Sequence, residues 1–462
     1  MHLKWLYERM AEVADRPAIV WRGSSTTYGD LIDRQAEWSR QLDALGIGAG
    51  EVIALVGDYS PEVCAALLAL VDRGVIVMPL TAATAPQHDE YLDLGQAHRV
   101  LRFAPDDSWQ AEVRDVEVVS PLLRELIDKG SPGLIMFSSG STGKSKAMVH
   151  DFTRVLEKFE VRRQALVTLT FLLFDHMGGL NTLFHTLSND GTVVATQDRD
   201  PEVICALVQD HGVELLPVSP TFLSLLLLSG VHRRYDLSSL KVISYGSEVM
   251  PQATLDRLRA DFPTLRLQQT YGLSETGALR TKSREDGSLW LKVGGEGVET
   301  KVVDDTLWIR SQFAMKGYLN APDPFDEDGW LNTQDQVQVD GEFIRILGRT
   351  SDIINVGGKK VYPAEVESAL LKLENIVEVT CFGEPNTIMG QSVVARVVIE
   401  RPEPLVELTR RIRAQASGSL ERYKLPVRIE IAEHAAINER FKKVRRSSPV
   451  DEATAPRDAG VT

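Results

Sequence analysis

Hydrophobic and polar positions along this chain follow two periods. In YGDLIDRQAEWSRQLDALGI, Leu31, Trp38, Leu42 and Leu45 recur at helical spacing and predict an amphipathic helix. EVIALVGD then reads as a buried strand, PEVCAALLALVDRG as a helix and VIVMPL as another strand. The same grammar returns in GTVVATQ, PEVICALVQDHG, VELLPVS, TFLSLLLLSG and LKVISYG. Such alternation predicts an α/β fold with doubly wound parallel sheets covered on both faces. Past about residue 285 the pattern changes to short alternating strands with Gly and Asp-Gly turns, as in QVQVDGEFIRILGR, which predicts a β-rich subdomain. Beyond Arg349, helix AEVESALLKL, strands VEVTCFGEP and SVVARVVIE, helix VELTRRIRAQASGSL and strand VRIEIAE predict a small α+β C-terminal domain. The last residues, 447–462, are polar and small, the composition of a disordered tail.

Composition narrows the function. A chain of 462 residues exceeds one compact core, so the pattern divides into a large domain (1–348) and a small one (353–446). With 51 basic against 65 acidic residues the net charge is -14, which argues against a nonspecific nucleic-acid partner. No apolar run reaches the roughly 18 residues of a membrane helix, and the N-terminus carries Glu8, Glu12 and Asp15 rather than a signal-peptide core. A cytoplasmic protein without a membrane span is expected. Cys64, Cys205 and Cys381 lie far apart without metal-ligand spacing and read as buried thiols.

SSGSTGKSK, Ser138 to Lys146, follows the apolar run Gly133–Phe137 and has the composition of a phosphate loop. A Walker loop needs four residues between its first Gly and the Gly-Lys pair; that slot is Ser138, and Gly140 falls two residues late. Backbone N–H groups around Gly140 and Gly143, hydroxyls of Ser139, Ser141 and Thr142, and the Lys144 and Lys146 ammoniums still suit an anion.

The stretch resembles the phosphate loop of the acyl-adenylate-forming superfamily, which includes acyl- and aryl-CoA ligases, luciferases and adenylation domains of peptide synthetases. LKVISYGSEVMP, TYGLSETGA, the long segment from GWLNTQDQV to KKVYPAEVE, and NERFKKVRR match that family in order. The resemblance implies that a carboxylic acid attacks the α-phosphate of ATP, giving acyl-AMP and pyrophosphate, after which a thiol expels AMP. The thiol is CoA; the alternatives are an adenylating enzyme that loads an acyl carrier protein thiol or activates another nucleophile or oxyanion, and a noncatalytic nucleotide-binding homologue. Ser139 to Lys146 would grip the leaving phosphates, with Thr142 as hydroxyl donor and Ser145 where the family has Pro. Tyr271 and Gly272 would meet adenine. Ser274 would donate to the α-phosphate, with Thr276 in reserve, and Glu275 would hold Mg²⁺. Gly246, Ser247 and Glu248 resemble the segment lining adenine and acyl sites. Asp335 and Arg349 resemble the ribose pair, with Gln334 in place of Gly, tolerable if its φ is negative.

The resemblance also implies a hinge at 349–352, with Ser351 at the pivot of a mobile C-terminal domain. Gly357, Gly358 and Lys359 would approach the thiol. The final motif allows two registers for the lysine that bridges carboxylate and α-phosphate: Lys443, preferred for the apolar residue after it, and Lys442, which sets Asn438 where the family has Thr. His176, Gly178, Gly179, Tyr245 and Gly277 would line the acyl pocket. A competing alignment sets Asp175 against the amine-binding Asp of amino-acid-activating domains.

Overall fold

The computed structural model describes residues 2–139, 145–434, 437–438 and 441–445. The expected tail at 447–462 lies outside them, as do Gly140, Ser141, Thr142, Gly143 and Lys144. The described residues divide into two compact units: Met1–Met250 with Thr254–Leu347, and Pro251–Ala253 with Gly348–Thr462.

The first unit holds two seven-stranded sheets and one six-stranded sheet. In one large sheet the strands Arg266–Gln269, Val242–Tyr245, Leu215–Val218, Val167–Thr170, Thr192–Ala195 and Pro17–Trp21 run parallel, and Ser24–Thr27 closes the edge antiparallel. In the other, Gly133–Ser139, Ile76–Leu80, Val52–Val56 and Arg99–Phe103 form the parallel centre. The crossover helices begin and end where local chemistry demands. Ser60, Asp200 and Ser219 each cap a helix through a side-chain oxygen, Pro follows at the first helical position, and Gly74, Gly212 and Gly230 close the helices in left-handed conformation. The main core packs both sheets around helices Pro61–Arg73 and Met177–Ser188, with Tyr28, Phe152, Phe174 and Phe184 fully or almost fully buried.

The six-stranded antiparallel sheet, Thr281–Ser283 through Phe343–Arg349, is the expected β-rich part. The second unit carries its own five-stranded sheet and a core of Val361, Val366, Leu370, Val379, Leu408 and Ile412. Cys64 and Cys205 are buried in the first unit and Cys381 in the second, and burial raises the pKa of all three thiols. No helix among the described residues is long and apolar enough to cross a membrane.

Candidate active site

The phosphate-loop segment joins two antiparallel neighbours, Gly133–Ser139 and Ser145–Asp151, whose register pairs Ser139 with Ser145 and Ser138 with Lys146. A Walker loop leads from a strand into a helix N-terminus; here the chain turns back into the same sheet. Ser145, the departure from Pro, is held on every side. Its Oγ lies 3.2 Å from the Tyr91 hydroxyl, its carbonyl accepts from Asn320 Nδ2 at 2.8 Å, and Asn320 Oδ1 accepts from Ala147 N at 2.9 Å. Tyr91 in turn stacks on Phe137 at 3.9 Å. The stiffness that Pro would give the loop end comes from this polar bracket instead.

TYGLSETGA folds as a second hairpin. Tyr271–Leu273 pairs with Gly277–Leu279, leaving Ser274, Glu275 and Thr276 at the tip. A Cβ on Gly272 would sit 2.5 Å from the Gly277 carbonyl, so this strand pair closes only around glycine. Glu275 accepts from the Tyr318 hydroxyl at 2.6 Å, and the Lys146 ammonium lies 4.9 Å over the Tyr318 ring. Tyr318, unremarked in the sequence, thus joins the end of the phosphate loop to the carboxylate of the tip. Thr276 is 1% exposed with its hydroxyl turned to the Gly277 carbonyl, which leaves the half-buried Ser274 as the more open hydroxyl of the tip.

The Tyr271 hydroxyl donates to Asp335, bringing the adenine and ribose candidates together. Asp335 is buried and oriented by its own N–H on Thr333 Oγ1. Gln334 corrects one expectation. Its φ is +60°, a left-handed conformation, stabilised by its N–H on Asn332 Oδ1 at 2.9 Å. The residue tolerates the geometry that the family's Gly would adopt without strain. Gln334→Gly should therefore be neutral or stabilising by up to about 1 kcal/mol, and Gln334→Val destabilising by more than about 1 kcal/mol, read from urea denaturation.

Around the acyl segment, His176 caps helix Met177–Ser188: its Nδ1 accepts from Gly178 N at 3.0 Å. A Cβ on Gly179 would meet the Leu173 carbonyl at 2.0 Å, so His-x-x-Gly describes a tight helix entry. Asp175 is committed to Thr81 and Thr84, whose hydroxyls donate at 2.9 and 3.1 Å, which disfavours the amine-binding alignment. Glu248 is likewise engaged: it accepts from Thr221 N and Oγ1, bracing the start of helix Pro220–Ser229. Gly246 approaches Thr270 too closely for any Cβ, and Ser247 has a φ of +68°. The Tyr245 hydroxyl is buried without a hydrogen-bond partner among the described residues.

His150, also missed by the sequence reading, lies fully buried on Ser145–Asp151, with no side-chain hydrogen-bond partner for either ring nitrogen among the described residues. Burial lowers its pKa to about 4, although the Ser274 backbone facing it pulls the other way. Its only sequence signal is a lone His ending the strand after the loop. Because the folded pKa lies below the ordinary 6.5, its neutral form favours folding fully above pH 6.5 and progressively less as pH falls toward 4. The full swing is about 3 kcal/mol. His150→Leu should flatten the pH dependence of the denaturation midpoint over that window; an unchanged slope would refute this.

In the second unit, Gly357 and Gly358, both left-handed, form the two-residue turn between Ile354–Val356 and Lys359–Val361. The Lys359 ammonium lies 4.5 Å from the Tyr423 ring. Arg349 is exposed at the end of Phe343–Arg349, one residue after Gly348, where the second unit begins. Lys443 is engaged within the second unit. Its side chain is 7% exposed, with the ammonium 2.5 Å from Glu378 and 3.7 Å from Glu367 in ion pairs and donating to the Val379 carbonyl at 2.8 Å. Burial works to lower its pKa, but the two carboxylates outweigh it and raise it. Arg445 also pairs with Glu367. Phe441, not Lys442, carries the left-handed φ, +52°, where the motif has Gly. The Asn438 side chain accepts from Lys442 N at 3.0 Å.

The large α/β unit thus holds a hairpin tip with a hydroxyl and a carboxylate, the Lys146 ammonium near it through Tyr318, and a Tyr–Asp pair, and a small α+β unit follows it in the chain. The chain belongs to the AMP-binding enzyme family: the family model matches residues 6–319, and that of the AMP-binding enzyme C-terminal domain matches 365–442. It is 27% identical to a 2-succinylbenzoate–CoA ligase of Bacillus pumilus, over 91% of this chain and 92% of the relative. An indoleacetate–CoA ligase of Aromatoleum aromaticum is 27% identical over 92% of both chains. Among solved structures, an anthranilate CoA ligase in complex with anthranoyl-AMP superposes with a TM-score of 0.83 at 20% identity, covering 96% of this chain and 95% of the other.

Proposed function

We propose that the protein activates a fatty or aromatic carboxylic acid as acyl-AMP and transfers the acyl group to CoA. The observation that carries this reading is Tyr318, which ties Lys146 of the phosphate loop to Glu275 of the hairpin tip. It sets a phosphate grip and a carboxylate within one tyrosine's reach. In the first step a substrate carboxylate oxygen bonds to the α-phosphorus and pyrophosphate leaves. In the second the thiol sulfur bonds to the acyl carbon, AMP leaves, and the thiol proton is released to solvent or phosphate.

Each residue then has a task. Thr142 and its loop neighbours hold the departing phosphates, Ser274 donates to the α-phosphate, and the Tyr271–Asp335 pair orients the nucleoside, with Arg349 as the second ribose ligand. Glu275 suits Mg²⁺, since Tyr318 takes one carboxylate oxygen and no hydrogen bond among the described residues takes the other. A single carboxylate fits an ion held mainly by phosphate oxygens. When bound, that ion neutralises phosphate charge. Lys442 is favoured over Lys443 for the lysine role, because Phe441 holds the motif's left-handed slot and Lys443 is ion-paired in the core of the small unit. The hinge reading of 349–352 gains support from the division of the chain between Leu347 and Gly348.

Acid-dependent exchange of labelled pyrophosphate into ATP, across an acid panel, tests the first step. AMP release on adding CoA or a holo-carrier protein tests the second and separates the two acceptors. ATP binding without exchange for any acid would leave only the noncatalytic alternative.

A further inference from the structure

Helix Met177–Ser188 is packed on nearly every side; its half-open positions are Gly178, Asn181 and His185. Spaced three and four apart, they form one stripe along the helix. The stripe begins beside His176, at the proposed acyl pocket, and His185 lies about 10 Å further on, seven residues at 1.5 Å each. The helix packs against the strand Gly277–Leu279, where the Lys158 ammonium donates to the Ala278 carbonyl at 3.3 Å. A Cβ on Gly277 would lie 3.8 Å from that ammonium, with nothing else within 4 Å, so Lys158 faces the one open side of a pocket glycine.

Three cations stand there. Lys158, Arg163 and Arg280 form no salt bridge with any Asp or Glu among the described residues, although the chain as a whole is acidic. Burial, then Arg163 and Lys158, push the His185 pKa down to about 4, and burial alone pushes Lys158 to about 8. Arg163 is lowered by burial and by Arg280, and no acid opposes either effect. A half-buried ammonium without a counter-ion is costly unless an anion arrives with the ligand.

We propose that the far end of the acyl pocket is a cationic subsite, with Lys158 as its charge and His185 as a neutral hydrogen-bonding group, that takes a second carboxylate of the substrate. The substrate class is then a dicarboxylic acid: one carboxylate is adenylated and the other is held at Lys158. This rests on the adenylation reading for which carboxylate reacts, but the subsite itself is tested by binding.

The experiment uses matched acids that differ only in the second carboxylate: 2-succinylbenzoate against 4-oxo-4-phenylbutanoate, and adipate against hexanoate. Pyrophosphate exchange should give a ratio of kcat/KM, diacid over monoacid, of about tenfold or more for at least one pair, as a desolvated charge contact supplies. Lys158→Met should bring that ratio near one and Lys158→Arg should keep it, which separates lost charge from lost fold. Calorimetric binding of each acid to the full chain in the presence of AMP should show the same preference. A ratio near one in both assays for the unaltered protein, or one unchanged in Lys158→Met, overturns the subsite. Exchange absent with every acid but diacid-selective binding that Lys158→Met abolishes would overturn the adenylation reading and keep the subsite.

Discussion

Lys442→Ala is expected to lower acid-dependent pyrophosphate release by about 100-fold or more, the usual loss when one charged stabiliser is taken from a reacting phosphate. Transfer from preformed acyl-AMP to CoA should survive, because the bridging lysine acts only while the carboxylate attacks. Lys443→Ala should fail differently. Its ammonium lies between Glu378 and Glu367, so its removal deprives the buried Glu378 of that cation, leaves Glu367 to Arg445, and should unfold or loosen the small unit. The two substitutions are therefore separable by a melting curve taken beside the kinetics. A folded, inactive Lys443→Ala together with an active Lys442→Ala would restore the other register.

The second large effect is expected at Glu367. Only 1% exposed, it pairs with Arg445 and Lys443 and accepts from Cys381 N at 2.9 Å. Burial alone would raise its pKa, but Arg445 and Lys443 bring it below the ordinary 4.5. Glu367→Ala takes the carboxylate from Arg445, leaves Lys443 to Glu378, and should cost the second unit about 3–5 kcal/mol. Glu367→Gln keeps the volume and should lose most of the same amount, since the missing element is charge. A loss under about 1 kcal/mol for both variants in urea denaturation would contradict this account. The sign for pH follows: the contribution is complete above about pH 4.5 and drains away as acid protonates the carboxylate.

Much of the fold was legible because it depends on period and punctuation. Ser60-Pro61, Asp200-Pro201 and Ser219-Pro220 open helices and Gly74, Gly212 and Gly230 close them, and the buried strands between them carry little but Val, Ile and Leu. The motif residues Tyr271 and Asp335 could be named singly, yet their direct contact joins residues 64 apart and has no local signature. Backbone conformation was hidden for a related reason. Gln334 and Phe441 adopt left-handed φ without being Gly, Asn or Asp, so composition gives no hint of it. That is why the lysine register was ambiguous. His150, Lys158 and Tyr318 were passed over because each becomes notable only through what the fold brings beside it: the Ser274 backbone, the open side of Gly277, and Glu275.

The three thiols carry a practical consequence. With Cys64, Cys205 and Cys381 all buried and their pKa raised, the native protein should present almost no thiolate to an aromatic disulfide reagent. Colour developed in samples withdrawn from the reaction would then report the added CoA still free, without background from the enzyme. Over hours the same reagent becomes a clock for breathing motions. Modification of Cys381, found by peptide mass mapping, would time the opening of the small unit, and that of Cys64 and Cys205 the opening of the large one. Two stabilities could be followed in one tube without a single engineered label.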